Sequence, residues 1–512
     1  MLELRTPIEA ANWLRKRVTG TIHADSRQVQ VGDGLMAWPG VANDARQYVA
    51  ATLADGAAAC LVEMDAAERY AFTSENVAGF HQLKAASGPI AAAYFEQPTR
   101  QLDVLAVTGT NGKTSTAWWL AQALSNLQQV APIPCAVVGT LGTGRPPAVV
   151  ATGLTTPDAV LLQKTFRRFV SEGIQACAVE ASSIGIAEHR LDGTHIRTAL
   201  FTNLTQDHLD YHGTMEAYWQ SKARLFQWPG LQSAVINIDD PQGAALAVTL
   251  SGKVPDIWTI SCTGAARLQA RDIRYNQRGL NFSVVEADGT TGATSNTASH
   301  VLQTALIGRY NVSNLLGVMA AMRSIGVPLA AVIESCTNLT AVPGRMQCVG
   351  ELGQPLAAVD YAHTPDALGK ALEALRSLSS QRRGQLWCVF GCGGDRDATK
   401  RPLMGAIAAR HADRLVVTSD NPRSEKPETI ISQILLGLTG HASAIVEPDR
   451  GQAIRQAIAE AGVNDVLLIA GKGHEDYQEV AGQRFPFSDL DHVRRALSAW
   501  VTPATRPESA NE

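Results

Sequence analysis

Residues 109–114, Gly-Thr-Asn-Gly-Lys-Thr, have the types and spacing to hold a chain of phosphates. Gly109 and Gly112 let backbone N–H groups come close to an anion, Lys113 brings a point charge to terminal phosphates, and the Thr114 hydroxyl suits a magnesium ion. Leu102, Val104, Leu105, Ala106 and Val107 precede them. That short apolar run predicts a buried strand entering a glycine-rich turn that opens a helix. The longer pattern G-x-x-x-x-G-K-[ST] wants glycine at 107, where this chain has valine. A plain structural turn is the competing reading, but strand, turn and helix in that order point to phosphate.

Two more clusters follow apolar runs. Ala176 to Val179 leads into Glu180-Ala181-Ser182-Ser183, and Thr198 to Phe201 leads into a polar stretch containing His208. Open α/β sheets bind ligands at the carboxyl ends of their strands, so both clusters belong on the edge that carries Lys113. Alone, Glu180 reads as a capping acid and His208 as a loop histidine; delivered together to that edge, they are candidates for magnesium and phosphate. Lys222 falls in a predicted helix, Glu216 to Phe226, where the pattern gives only a solvated surface lysine. Asn311 and Asn314 precede an apolar helix and serve either as caps or as contacts to a base. Asp25-Ser26-Arg27 reads as a polar turn.

The last third repeats the device. Asp360-Tyr361-Ala362-His363, the glycine-rich stretch to Asp397, Ser419-Asp420-Asn421-Pro422-Arg423 and Gly471-Lys472-Gly473-His474-Glu475 each end an apolar run. A doubly wound sheet would gather the four on one rim, facing the phosphate loop.

The elements that must position these residues form an α/β chain too long for one core. Residues 1–97 read as a small α/β domain, 98–338 as a P-loop ATPase-type domain with a parallel sheet, and 339–512 as a Rossmann-like α/β domain opening near Val342-Pro343-Gly344-Arg345-Met346. Residues 262–300 read as weak strands or loop, and 502–512 as a polar tail without structure. A net charge of -4 with no run of four Lys or Arg excludes an electrostatic footprint for nucleic acid. No apolar run spans a bilayer and the first residues lack a signal-like core, so a cytoplasmic protein is expected. Eight cysteines without a C-x-x-C pair are expected as buried, reduced thiols.

With these clusters in view, the chain resembles the Mur ligases. DSR, GTNGKT, LTTPD, EASS, FTNLTQDHLDYHG, SKARLF, VPGRM, VDYAHTPDAL, GCGGDRD, SDNPRSE and GKGHE occur in the family's order over essentially the whole chain. The resemblance implies ATP-driven amide formation through an acyl phosphate, adding meso-2,6-diaminopimelate to the D-glutamate of UDP-N-acetylmuramoyl-L-alanyl-D-glutamate in peptidoglycan precursor synthesis. L-lysine addition and a folylpolyglutamate-type synthetase are the near rivals, and a nucleotide-binding regulatory switch is the distant one.

By the same resemblance the three domains take the UDP sugar-peptide, ATP and the amino acid, in a chain that works as a monomer. Gly109, Thr110, Asn111, Gly112, Lys113, Thr114 and Ser115 would hold ATP phosphates, with Asn311, Arg345 and Asp360 on the rest of the nucleotide. Thr114, Glu180 and His208 would organise two Mg²⁺ ions, helped by Lys222 as a carbamate formed with CO₂ (N6-carboxylysine). Lys113, Glu180, His208 and Lys222 are then the catalytic set. Ser26, Val41, Ala42 and Asn43 match contacts to the uridine diphosphate, and Thr155, Thr156, Ser182, Glu188 and Arg190 match residues around the muramoyl-peptide. Arg396, Asp420, Asn421, Pro422, Arg423, Gly471 and Glu475 match the diaminopimelate site, with Arg423 on the distal carboxylate and Glu475 on the distal ammonium. Leu154, Ile184 and Glu188 stand where many relatives have Asn, His and Gln. An acid at 188 beside a glutamyl substrate sets like charges together, so Arg190 is expected to neutralise it.

Overall fold

The computed structural model describes residues 1–40, 43–276, 279–287, 298–438 and 444–501. Short apolar runs separated by helices and polar turns become three main sheets. The first is all parallel, in the order Leu2–Leu4, Val77–Phe80, Ala59–Glu63, Gly34–Ala37, Ile22–His23. Every residue of its three inner strands is buried, as expected where helices cover both faces.

The second sheet has eleven strands. Its parallel body runs Cys135–Gly139, Ala176–Glu180, Asp103–Thr108, Thr198–Phe201, Ser233–Asn237, Asp256–Ser261 and Leu268–Asn276. Val107 lies fully buried in mid-sheet, opposite Glu180 on one side and Leu200 on the other. Glycine there would weaken the strand, and this accounts for the shortened phosphate motif. The helix Lys113–Ser125 is buried along most of its length because the helix Tyr310–Ser324 packs against it. Within 262–300 the reading of weak strands or loop is replaced by strands Leu268–Asn276, Gly279–Glu286 and the start of Ala298–Thr304, an antiparallel meander continuing the sheet. Leu280, Phe282 and Val284 point every second side chain into the core, a period-2 signal diluted by the Thr, Ser and Gly around it.

The third sheet runs Gln347–Val349, Leu356–Asp360, Val466–Ala470, Leu386–Phe390, Arg414–Val417, Ile445–Val446, parallel except for the first strand. Its register pairs Asp360 and Phe390 with Ala470, and Phe390 with Val417, so four strand ends lie level. A hairpin, Tyr477–Val480 with Gln483–Pro486, stands apart. All eight cysteines are free and six are buried. No described helix is long and apolar enough to cross a membrane. Val41, Ala42 and residues 502–512 lie outside the described residues.

Candidate active site

The strand Asp103–Thr108 delivers the phosphate loop, whose two glycines are required by shape. Gly109 has φ +143° and a Cβ there would fall 1.9 Å from Thr202 Oγ1; Gly112 has φ +86° and a Cβ would fall 2.4 Å from Asn314 Oδ1. The loop is pinned from the neighbouring strand end: Asn203 accepts the Thr110 N–H on its carbonyl (2.8 Å) and the Asn111 N–H on Oδ1 (2.9 Å). Lys113 Nζ folds back onto the carbonyls of Gly109 and Thr110, both at 2.9 Å. Burial lowers its pKa, only partly offset by Glu180 and Asp207.

A cleft of about 780 Å³ opens over this loop, lined by residues 110–115, Thr155, Glu180, Ser182, His208, Lys222, Asn311, Arg345 and Asp360. The predicted nucleotide and metal residues therefore meet at one cavity, Gly109 supplying carbonyl contacts beneath it. Glu180, 1% exposed, accepts from Thr114 Oγ1 (2.9 Å), the Thr140 N–H (2.8 Å) and Thr140 Oγ1 (3.2 Å). From the third sheet's side, Arg345 Nη2 donates to Thr114 Oγ1 at 3.1 Å while its guanidinium lies over the Tyr361 ring. Asp360 accepts the Met346 N–H at 2.6 Å, and burial raises its pKa. Asn311 Nδ2 caps the Ile307 carbonyl (2.6 Å) and its Oδ1 accepts from Asn314 (2.9 Å), so both asparagines act locally as well as lining the cleft.

Lys222 is not a surface residue. It is 1% exposed, donates to the Gly109 carbonyl at 2.7 Å, and sits 4.3 Å from the centre of the Tyr218 ring. Its helix, Met215–Ala223, has little amphipathic pattern, so nothing in the spacing marked 222 as inward. Desolvation, then the nearby Lys113 charge, lowers its pKa well below that of a free lysine. His208 is held down to about 4 by desolvation, against the pull of Asp207, and is neutral at neutral pH.

The other cluster assembles on the third sheet's rim, beside the cleft rather than lining it. Buried Lys472 donates to Asn421 Oδ1 (2.9 Å) and Glu475 Oε2 (2.8 Å), and Asn421 Nδ2 donates to the same Glu475 oxygen (2.8 Å). Asp420 lies against Gly471, which has φ +120° and where a Cβ would fall 2.4 Å from Asp420 Oδ2. Arg423, following Pro422, has φ +51°; its N–H bonds the Glu479 carbonyl of the hairpin and Nη1 donates to the Gly394 carbonyl at 2.5 Å. Arg396 and Arg423 flank Gly393, and Arg396 also lies 3.9 Å from Asp210 of the second sheet's domain.

Of the residues matched to the muramoyl-peptide, Thr155 and Ser182 line the cleft, and Glu188 meets Lys84 of the first sheet's domain. Thr156 Oγ1 donates to the Glu180 carbonyl (2.7 Å) and contacts Ser182 Oγ (2.9 Å); Thr155 contacts Thr140 (3.0 Å). Ser26 opens a short 3-10 turn capped by Asp25, and Asn43 accepts the Gly40 N–H on its carbonyl. The charge of Arg190 does lower the Glu188 pKa, as expected, but the direct partners of the carboxylate are others. Arg190 Nη1 donates to the Thr156 carbonyl (3.0 Å), and the Glu188 carboxylate is met by Lys84 Nζ (2.5 Å) and the Tyr211 hydroxyl. Burial raises the Glu188 pKa, but Lys84 and Tyr211 outweigh it and hold the acid ionised. Sequence distance hid Lys84, which arrives from another sheet's domain.

Sequence reasoning also missed Thr140 and one face of the helix Pro365–Arg382. Thr140 follows the apolar strand Cys135–Gly139, so the strand-end rule that found Glu180 could have found it. Ala367, Lys370, Ala374 and Ser377, three and four residues apart, wall the cleft. Nothing in that spacing separates a face turned to a ligand from one turned to water.

The Mur ligase middle domain matches residues 107–322, and the Mur ligase glutamate ligase domain matches residues 344–473. The chain is 60% identical over 498 residues to the UDP-N-acetylmuramoyl-L-alanyl-D-glutamate--2,6-diaminopimelate ligase of Acidovorax sp. (strain JS42), covering 97% of this chain and 98% of the relative. It is 44% identical to the protein of that name from Pseudomonas aeruginosa, covering 94% and 95%. A solved structure of a ligase of that name superposes with a TM-score of 0.63 at 36% identity, over 94% of each chain. The MurF ligase of Thermotoga maritima in complex with ADP shares the fold at a TM-score of 0.62 and 19% identity, over 94% of this chain and 97% of that one. By sequence along its whole length, the chain belongs to the Mur ligase family.

Proposed function

We propose that the chain is an ATP-dependent ligase that adds meso-2,6-diaminopimelate to the D-glutamate of UDP-N-acetylmuramoyl-L-alanyl-D-glutamate, working as a cytoplasmic monomer in peptidoglycan precursor synthesis. The carrying observation is that the phosphate loop and the third sheet close on one cleft, with Arg345 reaching Thr114 at 3.1 Å. Residues 1–97 would take the UDP moiety, 98–338 the ATP and 339–512 the amino acid. The D-glutamate side-chain carboxylate attacks the γ-phosphorus, the bond to the bridging oxygen breaks, and ADP leaves with that electron pair. The amine of diaminopimelate then attacks the acyl carbonyl, phosphate departs, and the amine proton passes to solvent or phosphate. Lys113 meets the charge on the transferring phosphoryl group by exchanging its loop carbonyls for phosphate oxygens, while domain packing keeps water from the acyl phosphate.

Magnesium fits this donor set. The Thr114 hydroxyl and the buried Glu180 carboxylate are hard oxygen ligands on one hydrogen bond, and His208 is neutral and able to donate a lone pair. When bound, the two ions would neutralise phosphate oxygens. A carbamate on Lys222 fits as well: the Lys113 charge that disfavours an ammonium there favours an anion, and an amine kept neutral is the form that reacts with CO₂. At the rim, Arg423 would receive the distal carboxylate of diaminopimelate, which L-lysine lacks, and Glu475 the distal ammonium. ADP release that requires both the UDP-muramoyl-dipeptide and diaminopimelate is the expected result; ADP release with neither present would favour the nucleotide switch and overturn the reading.

A further inference from the structure

The phosphate loop touches the C-terminal part of the chain at an acid, Asp366, to which the family resemblance gave no role. Asn111 Nδ2 donates to Asp366 Oδ2 at 2.9 Å, across 255 positions of sequence. The rest of Asn111 is already fixed within the loop's own domain. Its N–H goes to Asn203 Oδ1 (2.9 Å), and its carbonyl accepts from Thr202 Oγ1 (2.7 Å) and Asn203 Nδ2 (3.0 Å). The carboxamide bridges the two sides: Nδ2 also donates to Thr205 Oγ1 of the loop's own domain, at the longer distance of 3.3 Å, so Asp366 is its shorter partner. Asp366 lies in the first turn of the helix Pro365–Arg382, the helix whose Ala367, Lys370, Ala374 and Ser377 wall the cleft. The same Oδ2 accepts from Lys370 Nζ at 2.9 Å, so one carboxylate oxygen joins the loop to a cation of the cleft wall.

An acid in a helix's first turn is ordinary, since it complements the helix dipole. That role needs no partner across the cleft, and the N-terminal N–H of Ala367 is already capped by Thr364. We infer that Asp366 is a positioning residue: acting through Asn111, it sets the C-terminal helix wall and Lys370 at the phosphate loop when the domains close on nucleotide. The inference rests on ATP use at this cleft and adds a residue whose effect falls on the ATP step, not on the UDP substrate.

The test is steady-state kinetics of the full chain with both substrates varied, for Asp366→Ala, Asp366→Asn, Asn111→Ala, Lys370→Met and the Asp366→Ala/Asn111→Ala double variant, each first checked for parent-like thermal unfolding. Losing one charge-assisted hydrogen bond predicts a fall of about ten- to a hundredfold in kcat/KM for ATP in Asp366→Ala, with KM for the UDP substrate within twofold. Asp366→Asn keeps an acceptor for Asn111 and should recover most of the loss, and the double variant should be no worse than the poorer single one. Losses that multiply in the double variant or an unchanged Asp366→Ala would each overturn the inference, whereas a loss in Lys370→Met is expected of a cation that the pair sets at the loop. If Asp366→Ala does not fold, the Asp366→Asn and Asn111→Ala pair carries the same comparison. Sustained ADP release by the parent with neither the UDP substrate nor an amino acid present would instead sink the proposed function while leaving this cycle readable.

Discussion

Replacing Arg423 with alanine should erase the choice between diaminopimelate and lysine. The guanidinium has five N–H donors, of which the structure spends one on the Gly394 carbonyl, leaving a fork for a carboxylate. Two charge-assisted hydrogen bonds at about 1.5 to 3 kcal/mol each give roughly 3 to 6 kcal/mol, or about 10² to 10⁴ in kcat/KM. Arg423 is only partly buried, so solvent screening places the expected effect in the lower half of that range. Lysine offers no distal carboxylate, so its own rate should change little or rise slightly. With both amino acids at equal concentration and the products separated by mass, the parent should yield almost only the diaminopimelate product. Arg423→Ala should move the product ratio by at least about a hundredfold toward lysine. Arg423→Lys, which keeps charge but not the fork, should fall between. A variant ratio within threefold of the parent, or a parent that incorporates lysine comparably, would refute the clamp.

Lys113→Ala should abolish ADP formation while leaving affinity for the UDP substrate nearly intact, because its ammonium serves only the loop; turnover within tenfold of the parent would exclude that role. Lys222→Ala should be inactive and partly restored by short-chain carboxylic acids, and an active variant together with no carbamate in mass spectra taken under CO₂ would return Lys222 to a packing role. Lys222→Met should reveal the cost of the buried amine in its pH dependence. A lysine whose folded pKa is lowered costs stability fully below that folded value, less as pH rises through the window, and nothing above its unfolded value near 10.5. The variant should therefore gain on the parent at low pH and lose that advantage by up to about 1.4 kcal/mol per pH unit across the window; denaturant unfolding showing a pH-independent difference would contradict it.

What the sequence made legible follows from how each group is held. Lys113, Glu180 and the Asp420 to Arg423 cluster sit at strand ends, and a strand end is a one-dimensional signal: an apolar run stops and polar residues begin. Parallel registers such as Glu180 with Val107, or Asp360 with Ala470, then carry those signals to a common edge without further information. Lys222, Lys84 and Asp366 lie on helices, where the face that meets a ligand or another domain has the same spacing as a face in water. Lys222 was recovered only through family resemblance, Lys84 and Asp366 only through three-dimensional proximity. The Val107 substitution shows the converse, a motif broken because the sheet needs a β-branched residue where the pattern wants glycine. The sheets thus explain where the chemistry stands, while the pairs Arg345 with Thr114, Asp366 with Asn111 and Lys84 with Glu188 explain how three sheets come to share it. Each pair joins a charged side chain to a group already fixed by its own domain. Closure can therefore be altered one pair at a time, and the substrate whose KM responds identifies the domain that the pair was holding.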